Sequence, residues 1–127
     1  MQPIFVTLQK LDVNAKLALR DINFETNSDL LTDVSFTELN RVIKLMQENP
    51  HLKMEVAAHT DDKGSKEYNL ILSNKRASSV MKYLTASVPA DRLLSKGYGE
   101  DAPKVENKSE EARAINRRVE MRVLSNN

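Results

Sequence analysis

Leu52-Lys-Met-Glu-Val-Ala-Ala-His59, continued by Thr60-Asp-Asp-Lys-Gly64, is the stretch from which the organisation of this chain can be read. Leu52, Met54, Val56 and Ala58 alternate with Lys53, Glu55, Ala57 and His59. That period of two predicts a strand with one apolar face. The strand delivers a polar segment at its carboxyl end, where Gly64 and its neighbours supply a turn. From about Ser65 to Ala86 the pattern is helical, as one helix or two consecutive ones, with Ala77, Val80, Met81 and Leu84 as the core stripe and Ser73 as a cap for an internal restart.

Upstream, Asp33-Val-Ser-Phe-Thr-Glu38 predicts a helix start in which Ser35 caps the amide of Glu38 and Glu38 reaches back to Ser35, with Val34 and Leu39 as a hydrophobic staple. Phe36, Leu39, Val42, Ile43 and Met46 then share one face, and Asn49-Pro50 ends the run. Earlier still, Ile4, Val6 and Leu8 alternate as in a half-buried strand, and the apolar parity of Leu17, Leu19, Ile22 and Phe24 switches near Arg20 and Asp21, as at a bulge or strand break. Downstream, Arg92 to Gly99 is strand-like, Ser109-Glu-Glu111 opens a short helix, and Val119, Met121 and Val123 make a closing strand. The alternation predicts one α+β domain, an α/β sandwich with helices packed on one face of a mixed sheet.

The chain has 127 residues and a formal net charge of +1, from 19 basic and 18 acidic side chains. One core can bury enough surface at this length to stand without disulfides or a metal. With no cysteine, thiolate zinc sites, disulfides and thiol catalysis are excluded. Near-balanced charge gives no field for non-specific binding to nucleic acid or an anionic membrane. No apolar run approaches the roughly 20 residues that span a bilayer, so direct membrane insertion is not expected. The amino terminus has no basic start or apolar stretch of a signal peptide, so work outside the cytoplasm would need an export signal from a longer parent.

His59, Asp61 and Ser65 include a base, a carboxylate and a nucleophile, yet they follow one another through one tight turn, which is not the geometry of a triad. His51, His59, Asp61 and Asp62 lack the spacing of a metal site. Arg113, Arg117, Arg118 and Arg122 are interleaved with Glu110, Glu111 and Glu120, which argues against a nucleic-acid surface, and the strand face carrying Arg118, Glu120 and Arg122 is expected to be solvated. Asn69 and Arg76 lie on one helical face about 10 Å apart, a face that can look toward the Asp61 loop. If Asp61 and Arg76 converge without pairing fully, they offer a carboxylate to a ligand ammonium and a planar fork to a ligand carboxylate, as a zwitterion requires. The alternatives are that the two make a salt bridge or that both point into water.

Phe24-Glu-Thr-Asn-Ser28, Leu52-Lys-Met-Glu-Val-Ala-Ala-His-Thr-Asp61, Gly64, Tyr68-Asn-Leu-Ile-Leu-Ser73, Arg76-Ala77, Tyr83-Leu84, Gly97-Tyr-Gly-Glu100, Pro103, Asn107 and Glu111-Ala-Arg-Ala-Ile-Asn-Arg-Arg-Val-Glu120 together resemble the OmpA-like peptidoglycan-binding domain. The resemblance runs from about Leu17 to Leu124, which makes residues 17–127 the domain and residues 1–16 an amino-terminal extension, a short strand or linker. It implies a βαβαβ-type fold, no catalysis and no cofactor. It also implies non-covalent binding of the meso-diaminopimelate in the peptidoglycan stem peptide, by a periplasmic module of a larger outer-membrane-associated protein. By motif position Asp61 would take the ammonium and Arg76 the carboxylate; Asn69 and Arg117 would add hydrogen bonds, and Thr26, Asn27 and Thr60 would line the groove. Ala58, Glu25 and Ala112 stand where the family commonly has glycine, aspartate and glycine, and put groove shape and affinity in question. The competing readings are an assembly module with a non-binding groove and a peptidoglycan hydrolase.

Overall fold

The computed structural model describes residues 13, 15–19, 24, 28, 29 and 31–126. The expected strand over Ile4 to Leu8 and the parity switch at Arg20 and Asp21 fall outside these residues. Four strands, β1 (Lys16–Leu19), β2 (Leu52–His59), β3 (Leu93–Gly99) and β4 (Arg118–Asn126), form one sheet in the order β1-β4-β2-β3. Strand β2 runs parallel to β3 and antiparallel to β4, which in turn is antiparallel to β1. Helices α1 (Asp33–Glu48), α2 (Lys66–Leu84) and α3 (Glu110–Asn116) connect them, giving the mixed α+β architecture that the alternation predicts.

Register explains which side is apolar. Val56 pairs with Met121, Ala58 with Val119, and Leu17 and Leu19 with Met121 and Val119, so these side chains project together toward the helices. There they pack with Leu39, Val42, Leu45 and Met46 of α1 and Ala77, Val80 and Leu84 of α2 in one buried cluster. The amphipathic stripes of both helices are therefore the cover of the sheet.

The opposite sheet face is not the solvated surface that the alternation suggests. Glu55, His59 and Glu120 are buried, because each sits on one of the two central strands and is covered by neighbouring long side chains. Arg122 Nε donates to Glu55 Oε1 at 3.2 Å, Tyr98 Oη to the same oxygen at 2.9 Å, and Arg118 Nε to Glu120 Oε2 at 3.1 Å. His59 stacks on Tyr98 with ring centroids 5.0 Å apart. Burial and the nearby Arg118 push its imidazole down to about 4.

Two helix expectations are corrected. Helix α1 begins at Asp33, so Ser35 is an internal first-turn residue, buried, with its Oγ 3.3 Å from Thr32 Oγ1. Starting three residues early, with Thr32 at the N-cap, also turns Val34 outward, at 58% exposure, while Leu39 is fully buried, so the staple does not form. Helix α2 is continuous through Ser73, whose hydroxyl donates to Leu70 O at 2.9 Å and accepts from Gly99 N at 2.8 Å. Gly97 N likewise donates to Asn74 Oδ1 at 2.8 Å. The helix thus satisfies amides of the edge strand β3 that would otherwise invite another strand. Gly97 permits this approach: a Cβ there would lie 2.2 Å from the Asn74 backbone nitrogen.

Candidate functional site

The site grows from the turn after β2. Thr60 N donates to Gly99 O at 2.9 Å, and Thr60 Oγ1 to Asp61 O at 2.8 Å. Asp61 Oδ1 accepts from Lys63 N at 2.9 Å, closing the turn through its own side chain. Gly64 adopts φ 82°, the left-handed region that favours glycine, and Ser65 Oγ then caps α2 by accepting from Tyr68 N at 3.0 Å. In the first turns of α2, Asn69 Nδ2 donates to Lys63 O at 2.8 Å, Asp61 O at 3.3 Å and Glu100 Oε1 at 3.1 Å. Asn69 is accordingly committed to holding the loop through its amide nitrogen, a role that its helical spacing with Arg76 does not reveal.

Asp61 is buried, at 8% exposure, but it does not pair with Arg76. Its Oδ2 accepts from Arg117 Nη1 at 2.6 Å, and Arg117 Nη2 donates to Glu110 Oε2 at 2.7 Å. These two carboxylates, Glu110 foremost, hold the Arg117 guanidinium above its ordinary value. Arg117 is positioned by its neighbour Asn116, a fully buried residue at the end of α3. Its amide accepts from Lys104 N and Val105 N and donates to Val105 O and Asn107 Oδ1, tying the helix end to the preceding loop.

Arg76 approaches from α2. Its Nε donates to Ser28 O at 2.8 Å and its guanidinium lies 4.7 Å from the centroid of the Phe24 ring, a cation–π contact. Burial lowers its pKa from the ordinary arginine value. Among the described residues no carboxylate forms an ion pair with it. Thr60, Asp61, Asn69, Arg76 and Arg117 all line one cleft of about 650 Å³, whose apolar wall includes Phe24, Tyr68 and Leu72. Thr26, Asn27 and Glu25 lie outside the described residues; Ala58 lines the same cleft with its methyl buried.

Asp61 thus presents a carboxylate with two of its acceptor positions used, and Arg76 presents its terminal nitrogens with Nε already anchored. A fixed anion and a fixed cation in one cleft suit a ligand carrying both charges. The nucleophilic arrangement is absent from this geometry, since His59 Nε2 is 3.6 Å from Glu120 Oε1, Asp61 is on Arg117, and Ser65 is the helix cap. Arg113, Arg117, Arg118 and Arg122 each have a carboxylate partner, which leaves no open basic face on that segment. Among the described residues no group of three or more His, Asp or Glu side chains is placed to hold a metal, and no helix is long and apolar enough to cross a membrane. Sequence reasoning missed Glu110 and Asn116. Glu110 can be read only as a helix-start residue, and the buried role of Asn116 depends on loop contacts up to 12 positions away.

Comparison with known proteins places this architecture. A family model described as the OmpA family matches residues 23–117. Outer membrane porin F of Pseudomonas fluorescens is 36% identical over 104 residues, covering 81% of this chain and 32% of that protein. The peptidoglycan-associated lipoprotein of Legionella pneumophila is 31% identical over 98 residues, covering 76% and 56%. The chain spans about a third of the length of the outer membrane porins it matches. Among solved structures, the periplasmic domain of Helicobacter pylori MotB superposes with a TM-score of 0.78 at 28% identity, covering 93% of this chain and 87% of that one. A cell wall anchor from Pseudomonas aeruginosa gives 0.71 at 30% identity, covering 80% and 74%.

Proposed function

Since this chain belongs to the OmpA family, we propose that it binds peptidoglycan without catalysis, through the meso-diaminopimelate of the stem peptide, and anchors a larger outer-membrane-associated protein to the cell wall from the periplasmic side. The observation that carries the reading is that Asp61 and Arg76 line one cleft without forming an ion pair with each other. The side-chain end of meso-diaminopimelate bears an ammonium and a carboxylate on one carbon. Asp61 accepts hydrogen bonds from the ammonium and Arg76 donates to the carboxylate, with Arg117, Asn69 and Thr60 beside them; Thr26 and Asn27 are assigned to the ligand by motif position alone. Relatives support the partner: they include a peptidoglycan-associated lipoprotein, a peptidoglycan-binding protein of Mycobacterium tuberculosis and a cell wall anchor.

Charge-assisted hydrogen bonds in a partly desolvated cleft give such a clamp both energy and orientation. Arg76 is held in place before ligand arrives by Ser28 and Phe24, which lowers the entropy cost of fixing its long side chain. Sedimentation with purified diaminopimelate-type peptidoglycan tests the assignment. The wild-type chain is retained, while Asp61→Ala and Arg76→Ala each lose most retention with unchanged circular dichroism. Normal retention of both variants would remove the assignment. A wild-type chain that ignores peptidoglycan but self-associates with concentration would instead make this an assembly module.

A further inference from the structure

The geometry around Arg117 points to a second anion seat in the cleft, one that the protein fills with its own carboxylate. We propose that Glu110 is an internal competitor: it occupies Arg117 Nη2, and a second carboxylate of the ligand displaces it. This rests on the peptidoglycan reading for the identity of the ligand, but the seat itself rests on three observations. Arg117 bridges two acids through separate nitrogens, Asp61 at 2.6 Å on Nη1 and Glu110 at 2.7 Å on Nη2. The two acids differ in exposure, the Asp61 side chain being 11% and that of Glu110 60% exposed. Arg117 lines the cleft, whereas Glu110 is not among the lining residues and reaches it from the rim.

An exposed carboxylate on a guanidinium is held weakly, because water competes and the long side chain loses rotamer freedom. Asp61 is held on both oxygens and stays. A ligand carboxylate already tethered in the cleft by the Asp61 and Arg76 contacts meets Arg117 at high effective concentration, and so exchanges for Glu110. Glu110 keeps Arg113 Nε nearby at 3.5 Å, which gives the displaced side chain a second cation to rest against. The ligand class that follows is a stem peptide with a free carboxylate beyond that of diaminopimelate, as opposed to one in which that carboxyl is an amide.

The test pairs two readouts. Calorimetric titration uses L-alanyl-γ-D-glutamyl-meso-diaminopimelate and the same peptide with the glutamyl α-carboxyl as its amide. Glu110→Ala is expected to bind the free acid about two- to fivefold more tightly than wild type, the fold-change equivalent of a surface ion pair, and to bind the amide unchanged. Equal changes for both peptides, or none, would overturn the seat. Independently, the Arg117 Nε–H resonance is followed by NMR during addition of glutarate, a dicarboxylate with no ammonium. It is expected to move at lower glutarate concentration in Glu110→Ala than in wild type; identical titrations would overturn the proposal. A glutarate response in the variant with no peptide binding by either protein would leave the seat standing and remove the peptidoglycan reading.

Discussion

Replacing Gly97 by alanine tests how β3 and α2 together set the site. The added methyl would stand 2.2 Å from Asn74 N and 2.4 Å from both the carbonyl carbon and Oγ of Ser73. Two of these three atoms belong to the helix backbone, so no rotamer change relieves the contact and α2 must move away from β3. Overpacking of this kind costs roughly 1–3 kcal/mol. Retreat of the helix also weakens the hydrogen bonds from Gly97 N to Asn74 Oδ1 and from Gly99 N to Ser73 Oγ, each worth about 1 kcal/mol. The expected loss is therefore about 3–5 kcal/mol, a large part of the stability of a domain this size. Urea unfolding followed by circular dichroism reads it directly. Because α2 also carries Asn69 and Arg76, the folded fraction of the variant should bind diaminopimelate-type peptidoglycan less well than wild type. A loss below about 1 kcal/mol would refute the claim that α2 is seated against bare β3 backbone.

His59 gives a pH prediction. Its imidazole is lowered from 6.5 to about 4, first by burial and then by Arg118. Above pH 6.5 both folded and unfolded chains hold it neutral; as pH falls from 6.5 toward 4 only the unfolded chain takes up the proton, so the folded state loses about 3 kcal/mol. His59→Leu should flatten this part of the stability profile relative to wild type in urea titrations at stepped pH; parallel profiles would contradict it. Arg92 closes the carboxyl end of α1, donating to Met46 O at 2.7 Å, Asn49 O at 2.6 Å and Leu52 O at 3.0 Å. Arg92→Ala should cost about 2–3 kcal/mol in the same assay, since three bonds from a charged donor to backbone carbonyls are lost; a change under about 0.5 kcal/mol would show that water replaces the side chain.

The strand over Leu52 to Ala58, the stripe of α1 and the closing strand were legible because burial on one face imposes a period that local sequence records. The fate of the other face was not. Glu55 and His59 read as solvent-facing in a strand pattern, yet Glu55 is buried by Arg122, 67 residues away, and His59 lies opposite Arg118 in β4. No periodicity announces a partner at that distance. The capping box failed for a similar reason: Ser35 and Glu38 have the right spacing, but the chain enters α1 three residues earlier and the core takes Ser35. In the site, Asp61 and Arg76 are both in the cleft, as motif position implies, whereas the Asp61–Arg117 pair depends on the pairing of β4 with β2. That pairing brings the end of α3 to the turn after β2. Resemblance supplied the cast of residues, and tertiary contact decided which of them touch.

In the proposed clamp Arg76 recognises a carboxylate while Asp61 recognises the ammonium beside it. Calorimetry with two stem tripeptides, one ending in meso-diaminopimelate and one in lysine, separates the two contacts, because lysine keeps the ammonium and lacks the carboxylate. The diaminopimelate peptide should bind at least about tenfold more tightly, the worth of one charge-assisted pair, and Arg76→Ala should erase the difference. Equal affinity of the wild-type chain for both peptides would contradict the account.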